Sequence, residues 1–196
     1  MKNAIIFHGT GCTPKSYWFP SVTNHLKRLG YSVWVPQLPN ADNPTLEEWL
    51  PIALRGRYTK DTVIIGHSAG APLVLSALEN INTQIHKAVL VSGFARPLRI
   101  DKFKPQAILQ TTYKWKKIKK SAKDIVYINS QNDPWTIDHK EGLYMWQKTG
   151  GTLILREGEG HMGSDRFEQP YSRFTLLEKL LELKYSRSSI DGSDKK

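Results

Sequence analysis

Thr62-Val63-Ile64-Ile65-Gly66-His67-Ser68-Ala69-Gly70-Ala71-Pro72-Leu73-Val74-Leu75 opens as an unbroken apolar β run and closes on a helical apolar pattern that continues through Ala77 and Leu78. Runs such as Val63-Ile64-Ile65 suit a strand buried on both faces. Between strand and helix stands Gly-x-Ser-x-Gly, and that context turns a common pentapeptide into a nucleophile elbow. In an elbow the serine sits on a sharp, strained turn that lifts its hydroxyl above the sheet. Gly66 and Gly70 lack the Cβ atoms that would clash as strand and helix close on one another. The helix N-terminus behind Ser68 adds partial positive charge and free N–H groups where an oxyanion would form. A bare Gly-x-Ser-x-Gly is equally compatible with a small-residue turn that does no chemistry; the flanking strand and helix are what favour catalysis.

Outward from this stretch, apolar β runs alternate with helical segments. Ala4 to His8 reads as the first strand, followed by a helix through Trp18, Val22, Leu26 and Leu29 that stops at Gly30. Ser32 to Pro36 is a second strand. Thr45, with Glu48 three residues on, forms a capping box for a helix over Leu46 to Leu54. After the elbow strand, His86–Val91, Asp124–Asn129 and Gly151–Leu155 complete a set of six. Helices are expected around Trp115 to Ala122, His139 to Lys148 and Tyr171 to Tyr185. Alternation of this kind predicts an α/β fold with a mostly parallel six-stranded sheet and helices on both faces. Residues 1–185 read as one domain and 186–196 as a frayed polar tail. Only Ser92 to Tyr113 is long enough for a lid, and it is too short for a full cap domain.

Composition narrows the function classes. A chain of 196 residues with 39% hydrophobic content can bury one sizeable core. The mean hydropathy of −0.45 and the lack of a long apolar run exclude a membrane span. The first residues are too short an apolar segment for a signal peptide. Cys12 is the only cysteine; it can form no internal disulfide, which fits a cytoplasmic protein, and it reads as a small filler beside Gly9-Thr10-Gly11. The net charge of +10 invites a nucleic-acid reading, but much of the excess lies in Tyr113 to Lys120 and in Lys195-Lys196. The first of these reads as a solvated amphipathic helix face, no nucleic-acid-binding signature accompanies it, and no nucleic-acid partner is expected. Gly9 to Ser16 resembles a phosphate loop until Pro14, which offers no N–H. Gly158-Glu159-Gly160-His161-Met162-Gly163 matches a dinucleotide pattern but follows the last strand. No metal site and no cofactor is expected.

A serine nucleophile needs a base held by a third group. Open α/β sheets place their sites at the carboxyl ends of strands, and two strand ends supply an acid and a histidine in hydrolase chain order. Asp133 follows the fifth strand and would orient an imidazole; His161 follows the sixth and would shuttle the proton. Asp138, at or within a helix, and Asp124, ahead of its strand, are the weaker acids. His67 within the elbow, His8 in the oxyanion loop, and His25, His86 and His139 on element edges read as structural. The backbone N–H groups of Ala69 and Thr10 are the candidate oxyanion donors. Tyr17, Trp18, Phe94, Trp135 and Met162 lie near these loops in sequence and are candidates for an acyl pocket, with core packing the alternative.

These residues resemble the α/β-hydrolase superfamily, and within it the small serine hydrolases of the retinoblastoma-binding protein 9 and YdeN-like family. The likeness runs to about Tyr185 through His8-Gly9-Thr10-Gly11, Trp18-Phe19-Pro20, Pro36-Gln37-Leu38-Pro39-Asn40, Leu46-Glu47-Glu48-Trp49, Gly66-His67-Ser68-Ala69-Gly70, Trp115-Lys116-Lys117-Ile118, Asn132-Asp133-Pro134 and Gly160-His161. The resemblance implies the triad Ser68, Asp133 and His161 and a strand order 2-1-3-4-5-6. The basic loop Phe94 to Lys104, with Arg96, Arg99, Lys102 and Lys104, departs from it; its charges read first as solvating a surface loop, with the drawing of anionic substrates to the rim the alternative. The expectation is a cytoplasmic serine hydrolase acting on a small ester, thioester or amide through an acyl-enzyme. The alternative is a binding protein that keeps the hydrolase fold and a little-used triad.

Overall fold

A computed structural model describes residues 2–98 and 106–183. Six strands form one sheet in the order β2-β1-β3-β4-β5-β6. They are β1 (Asn3–Phe7), β2 (Ser32–Trp34), β3 (Thr62–His67), β4 (Ile85–Val91), β5 (Ala122–Ser130) and β6 (Thr152–Arg156). Every pairing is parallel. Between and after them run α1 (Phe19–Arg28), α2 (Leu46–Ala53), α3 (Gly70–Asn80), α4 (Trp115–Ser121), α5 (His139–Thr149) and α6 (Thr175–Glu182).

The buried β runs separate by strand period into two cores. Ile5, Phe7, Ile64, Ala88, Leu90, Ile125 and Tyr127 pack with α3, alongside Trp49 of α2, Ile118 of α4 and Met145 of α5. Ala4, Ile6, Val63, Ile65, Val89, Val91, Val126 and Ile128 face Phe19, Val22 and Leu26 of α1 and Leu177 and Leu181 of α6. Helices therefore cover both faces, which leaves the carboxyl ends of the strands as the open edge where loops can gather.

Local chemistry accounts for some element ends. Thr45 caps α2 by accepting the Glu48 N–H at 3.2 Å, the first half of the expected capping box; the Glu48 carboxylate accepts from the Thr45 hydroxyl at 3.1 Å in place of its backbone N–H. Gly30 adopts φ +83° just past α1. In α4 the lysines are exposed or half-buried while Ile118 and Ser121 are buried, as an amphipathic solvent-facing helix requires. None of the described helices is long and apolar enough to cross a membrane.

Several boundaries differ from expectation. β2 stops at Trp34 instead of Pro36, consistent with a proline that has no N–H for the ladder. The final helix starts at Thr175 instead of Tyr171: Tyr171 takes a left-handed φ of 37°, and Phe174, with φ −127° and ψ 77°, stands outside the helix as its N-cap. β5 begins at Ala122, so Asp124 lies inside the strand, where it is buried and sits 3.7 Å from Lys87 Nζ. The two are register partners on adjacent strands. The tail, Tyr185, Arg99, Lys102 and Lys104 fall outside the described residues.

Candidate active site

The elbow is built by close backbone approach. β3 ends at His67 and α3 begins at Gly70, leaving two residues to reverse the chain. Ser68 takes φ +52°, a strained left-handed conformation for a non-glycine residue. A Cβ on Gly66 would lie 2.3 Å from the Gly70 carbonyl oxygen, and one on Gly70 would lie 2.3 Å from that of Phe7. Neither position admits a side chain. The Ser68 N–H donates to the Val91 carbonyl (3.0 Å), and the Ser68 carbonyl accepts from Ala71 N–H (2.9 Å). These bonds fix the strained turn between β4 and the first turn of α3.

The loop after β1 presses against the same serine. A Cβ on Gly9 would approach Ser68 Cβ to 2.8 Å. His8 carries the loop: its Nε2 accepts the Leu38 N–H at 3.0 Å, so the proton sits on Nδ1, which donates to the Gly9 carbonyl at 3.0 Å. Burial lowers the His8 pKa and keeps this tautomer neutral. Thr10 in this loop and Ala69 before α3 both line the cavity that Ser68 faces.

His161 arrives from the turn after β6, where Gly160, Met162 and Gly163 all take positive φ. Its Nδ1 donates to Asp133 Oδ2 at 2.7 Å. The second oxygen, Oδ1, accepts the Trp135 N–H at 2.9 Å. The Asp133 side chain is fully buried, so the pair is shielded from solvent. With the proton on Nδ1, a neutral imidazole presents its bare Nε2 as a base. His161 lines the same cavity as Ser68, and Asp133 lies behind it. Asp138 is spent elsewhere, as the N-cap of α5.

The cavity holds about 460 Å³. Phe94, Trp135 and Tyr17 form an aromatic wall, and Asp42, Asn43 and Arg166 bring polar groups to its lining. Trp18 and Met162, expected in this pocket, are not part of it. Both are fully buried on the α1/α6 side of the sheet. Trp18 stands at the start of α1 with its ring 4.6 Å from Phe19 and 5.7 Å from Phe174. Its Nε1 donates to the Met162 carbonyl at 2.9 Å, so the two residues brace the His161 turn from below. Cys12 also reaches the cavity, but burial pushes its thiol up to about 11, and Sγ donates to the Thr10 carbonyl. It is a protonated filler, as read from the sequence. Arg96 is engaged away from the cavity: Nε donates to both oxygens of Glu141 at 3.0 and 3.1 Å, and the guanidinium stacks 4.6 Å over Tyr144.

Three side chains bond to the His161 main chain, and none of them was assigned to it from the sequence. Its carbonyl accepts from His67 Nε2 at 2.9 Å and from Ser92 Oγ at 3.0 Å. Its N–H donates to Gln169 Oε1 at 2.8 Å. Of these, only His67 lies within a motif, adjacent to the serine.

A parallel sheet of this order, with a strained serine elbow and a histidine–aspartate pair on its carboxyl edge, defines an α/β-hydrolase. The serine hydrolase family model matches residues 4–179. The chain is 31% identical over 140 residues to YdeN of Bacillus subtilis (strain 168), covering 67% of this chain and 71% of that one. The crystal structure of the B. subtilis ydeN gene product superposes with a TM-score of 0.81 at 25% identity, over 92% of this chain and 97% of the other. Est1E of Butyrivibrio proteoclasticus, solved with ferulic acid bound, shares the fold at a TM-score of 0.65 and 15% identity, over 93% and 90% of the two chains. The chain belongs to the serine hydrolase family, in its YdeN-like branch, and is a hydrolase.

Proposed function

We propose that the protein hydrolyses a small ester, thioester or amide through Ser68, His161 and Asp133. Ser68 Oγ attacks the carbonyl carbon while its proton passes to His161 Nε2. Asp133, bonded to Nδ1–H, stabilises the imidazolium that results. The tetrahedral oxyanion is held by the N–H groups of Ala69 and Thr10. Collapse of that intermediate breaks the bond to the leaving group, which takes the proton from Nε2. A water, deprotonated by the same nitrogen, then attacks the acyl-serine and releases the acid. Tyr17, Phe94 and Trp135 offer an apolar surface for a small acyl group. Neither metal nor cofactor has a part in these steps.

The observation that carries this reading is the 2.7 Å bond from His161 to a buried Asp133, on a histidine that shares its cavity with a strained elbow serine. A binding protein with a little-used triad would also keep these residues, so the test is turnover itself. Wild-type protein is expected to label with a fluorophosphonate and to release p-nitrophenol from p-nitrophenyl acetate, with an acetyl adduct visible by intact mass. Ser68→Ala should lose labelling and turnover while melting within a few degrees of wild type. His161→Ala should lose about 10³-fold in kcat, by analogy with other triads. Labelling that persists in Ser68→Ala would move the nucleophile elsewhere.

A further inference from the structure

The residue before the candidate nucleophile is bonded to the candidate base. His67 is 1% exposed and lies on the α1/α6 side of the sheet, its ring 5.8 Å from Trp18, 5.8 Å from Phe19 and 6.0 Å from Tyr17. An aromatic enclosure of this kind would accept leucine or phenylalanine at a lower desolvation cost. The polar edge of the imidazole has one use there: Nε2 donates to the His161 main-chain carbonyl at 2.9 Å. Ser92, at the end of β4, donates to the same oxygen at 3.0 Å. Both lone pairs of that carbonyl are therefore committed, across 94 and 69 residues of sequence.

We infer that His67, seconded by Ser92, is a positioning residue that holds the His161 backbone so that its imidazole faces Ser68 in a single orientation. The inference rests on the proposed role of His161 as general base. Asp133 fixes the ring from Nδ1, but one hydrogen bond leaves the ring free to pivot about it. The two bonds to the carbonyl remove that pivot at the main chain, and Gln169 secures the N–H side. Because His67 and Ser68 are consecutive, the strained turn that aims the nucleophile also aims the base. Displacements of about 1 Å between reacting groups can cost on the order of a hundredfold in rate, which makes such coupling worth its desolvation cost.

Charge supports the same assignment. A carbonyl acceptor at Nε2 places the proton there, and Nδ1 is buried without a partner among the described residues. The ring centroids of His67 and His161 are 5.0 Å apart. A cationic neighbour at that distance would oppose the imidazolium that His161 must become. Burial keeps His67 neutral, with its pKa lowered to about 3.

The test compares His67→Gln, whose amide N–H reaches about as far as Nε2, with His67→Leu, which fills the enclosure but donates nothing. For p-nitrophenyl acetate, His67→Leu is expected to lose roughly ten- to a hundredfold in kcat with KM within about twofold, and its fluorophosphonate labelling should slow in parallel. His67→Gln should recover to within about threefold of wild type. Ser92→Ala, which opens little space, should lose about three- to tenfold, the worth of one hydrogen bond; it decides the question if His67→Leu does not fold. Wild-type kcat in folded His67→Leu, or in Ser92→Ala where His67→Leu does not fold, would overturn the inference. So would a His67→Gln that melts like wild type yet is as slow as His67→Leu. Those outcomes, with Ser68→Ala inactive, leave the parent mechanism standing. Activity surviving in Ser68→Ala would remove the mechanism and this inference together.

Discussion

Acid should unfold this protein through His67, independently of any role in catalysis. The side chain is buried, its Nδ1 has no partner among the described residues, and burial lowers its pKa from an ordinary 6.5 to about 3. Between those two values the unfolded chain binds a proton at this position and the native chain does not. Stability therefore rises with pH across that window: it is complete above 6.5 and lost as the pH falls through 6.5 toward 3. Each pH unit inside the window is worth about 1.4 kcal/mol, so lowering the pH from 8 to 5 removes about 2 kcal/mol. Reaching pH 3 would remove about 4 kcal/mol, a large part of a typical domain's stability. His8, also lowered by burial, adds a loss in the same direction. Glu159 and Glu178, both lowered from 4.5, lose their contributions below the chosen range. Comparison with His67→Gln isolates the residue, since glutamine does not titrate. Urea unfolding followed by tryptophan fluorescence at pH 8, 7, 6 and 5 should give two lines that converge toward acid, wild type losing about 2 kcal/mol more than the variant. Parallel lines within about 0.5 kcal/mol would show that His67 titrates normally, and the argument from burial would be wrong.

Two further outcomes follow from particular distances. Gly70→Ala places a methyl 2.3 Å from the Phe7 carbonyl and 2.9 Å from that of His8, atoms that cannot move without disturbing β1; a loss of about 1–3 kcal/mol or more and a collapse of fluorophosphonate labelling are expected. Gly30→Ala, with no heavy atom within 4 Å and only its φ of +83° to oppose it, should cost about 1 kcal/mol and leave labelling intact, and equal effects at the two sites would refute the packing account. Arg166 lines the cavity 4.9 Å over the Trp135 ring and has no carboxylate within ion-pair distance among the described residues. Arg166→Gln should raise KM for a carboxylate-bearing p-nitrophenyl ester about three- to tenfold at low salt, an effect limited by Asp42 and Asp165 in the same lining, and should leave the neutral acetate ester unchanged. Equal KM shifts for both esters would remove Arg166 as a selector of charge.

What the chain discloses in one dimension depends on how far each interaction reaches. The elbow is local: strand, glycine, serine, glycine and helix are consecutive, and the 2.3 Å approaches at Gly66 and Gly70 are the physical content of that pattern. The fold was legible for a similar reason, since each apolar β run is a period-2 object that needs cover on both faces wherever it lies. Asp133 and His161 were reachable by a topological rule, that polar residues at the carboxyl ends of successive strands meet. Asp124 falls outside that rule: β5 begins at Ala122, which puts the carboxylate near the amino end of the strand in a buried pairing with Lys87.

The pocket and the support of His161 were less accessible, because both depend on which way a single residue faces. Tyr17 and Trp18 are neighbours, yet one lines the cavity and the other is buried beneath the sheet. The reversal falls where Tyr17 takes φ +48°, two residues before α1 begins at Phe19, a conformation that no propensity of tyrosine announces. His161 and Met162 part in the same way, about a left-handed φ of 53° at Met162. Closeness in sequence to a candidate site loop therefore does not decide whether a residue lines the cavity, and backbone dihedrals do. His67 follows the opposite logic. Its position was visible inside Gly-His-Ser-Ala-Gly, but its partner is a main-chain carbonyl, and every residue has one of those. A side chain that recognises another side chain leaves two marks in a sequence; one that recognises backbone leaves a single mark, and here that was a histidine where an apolar residue would have sufficed.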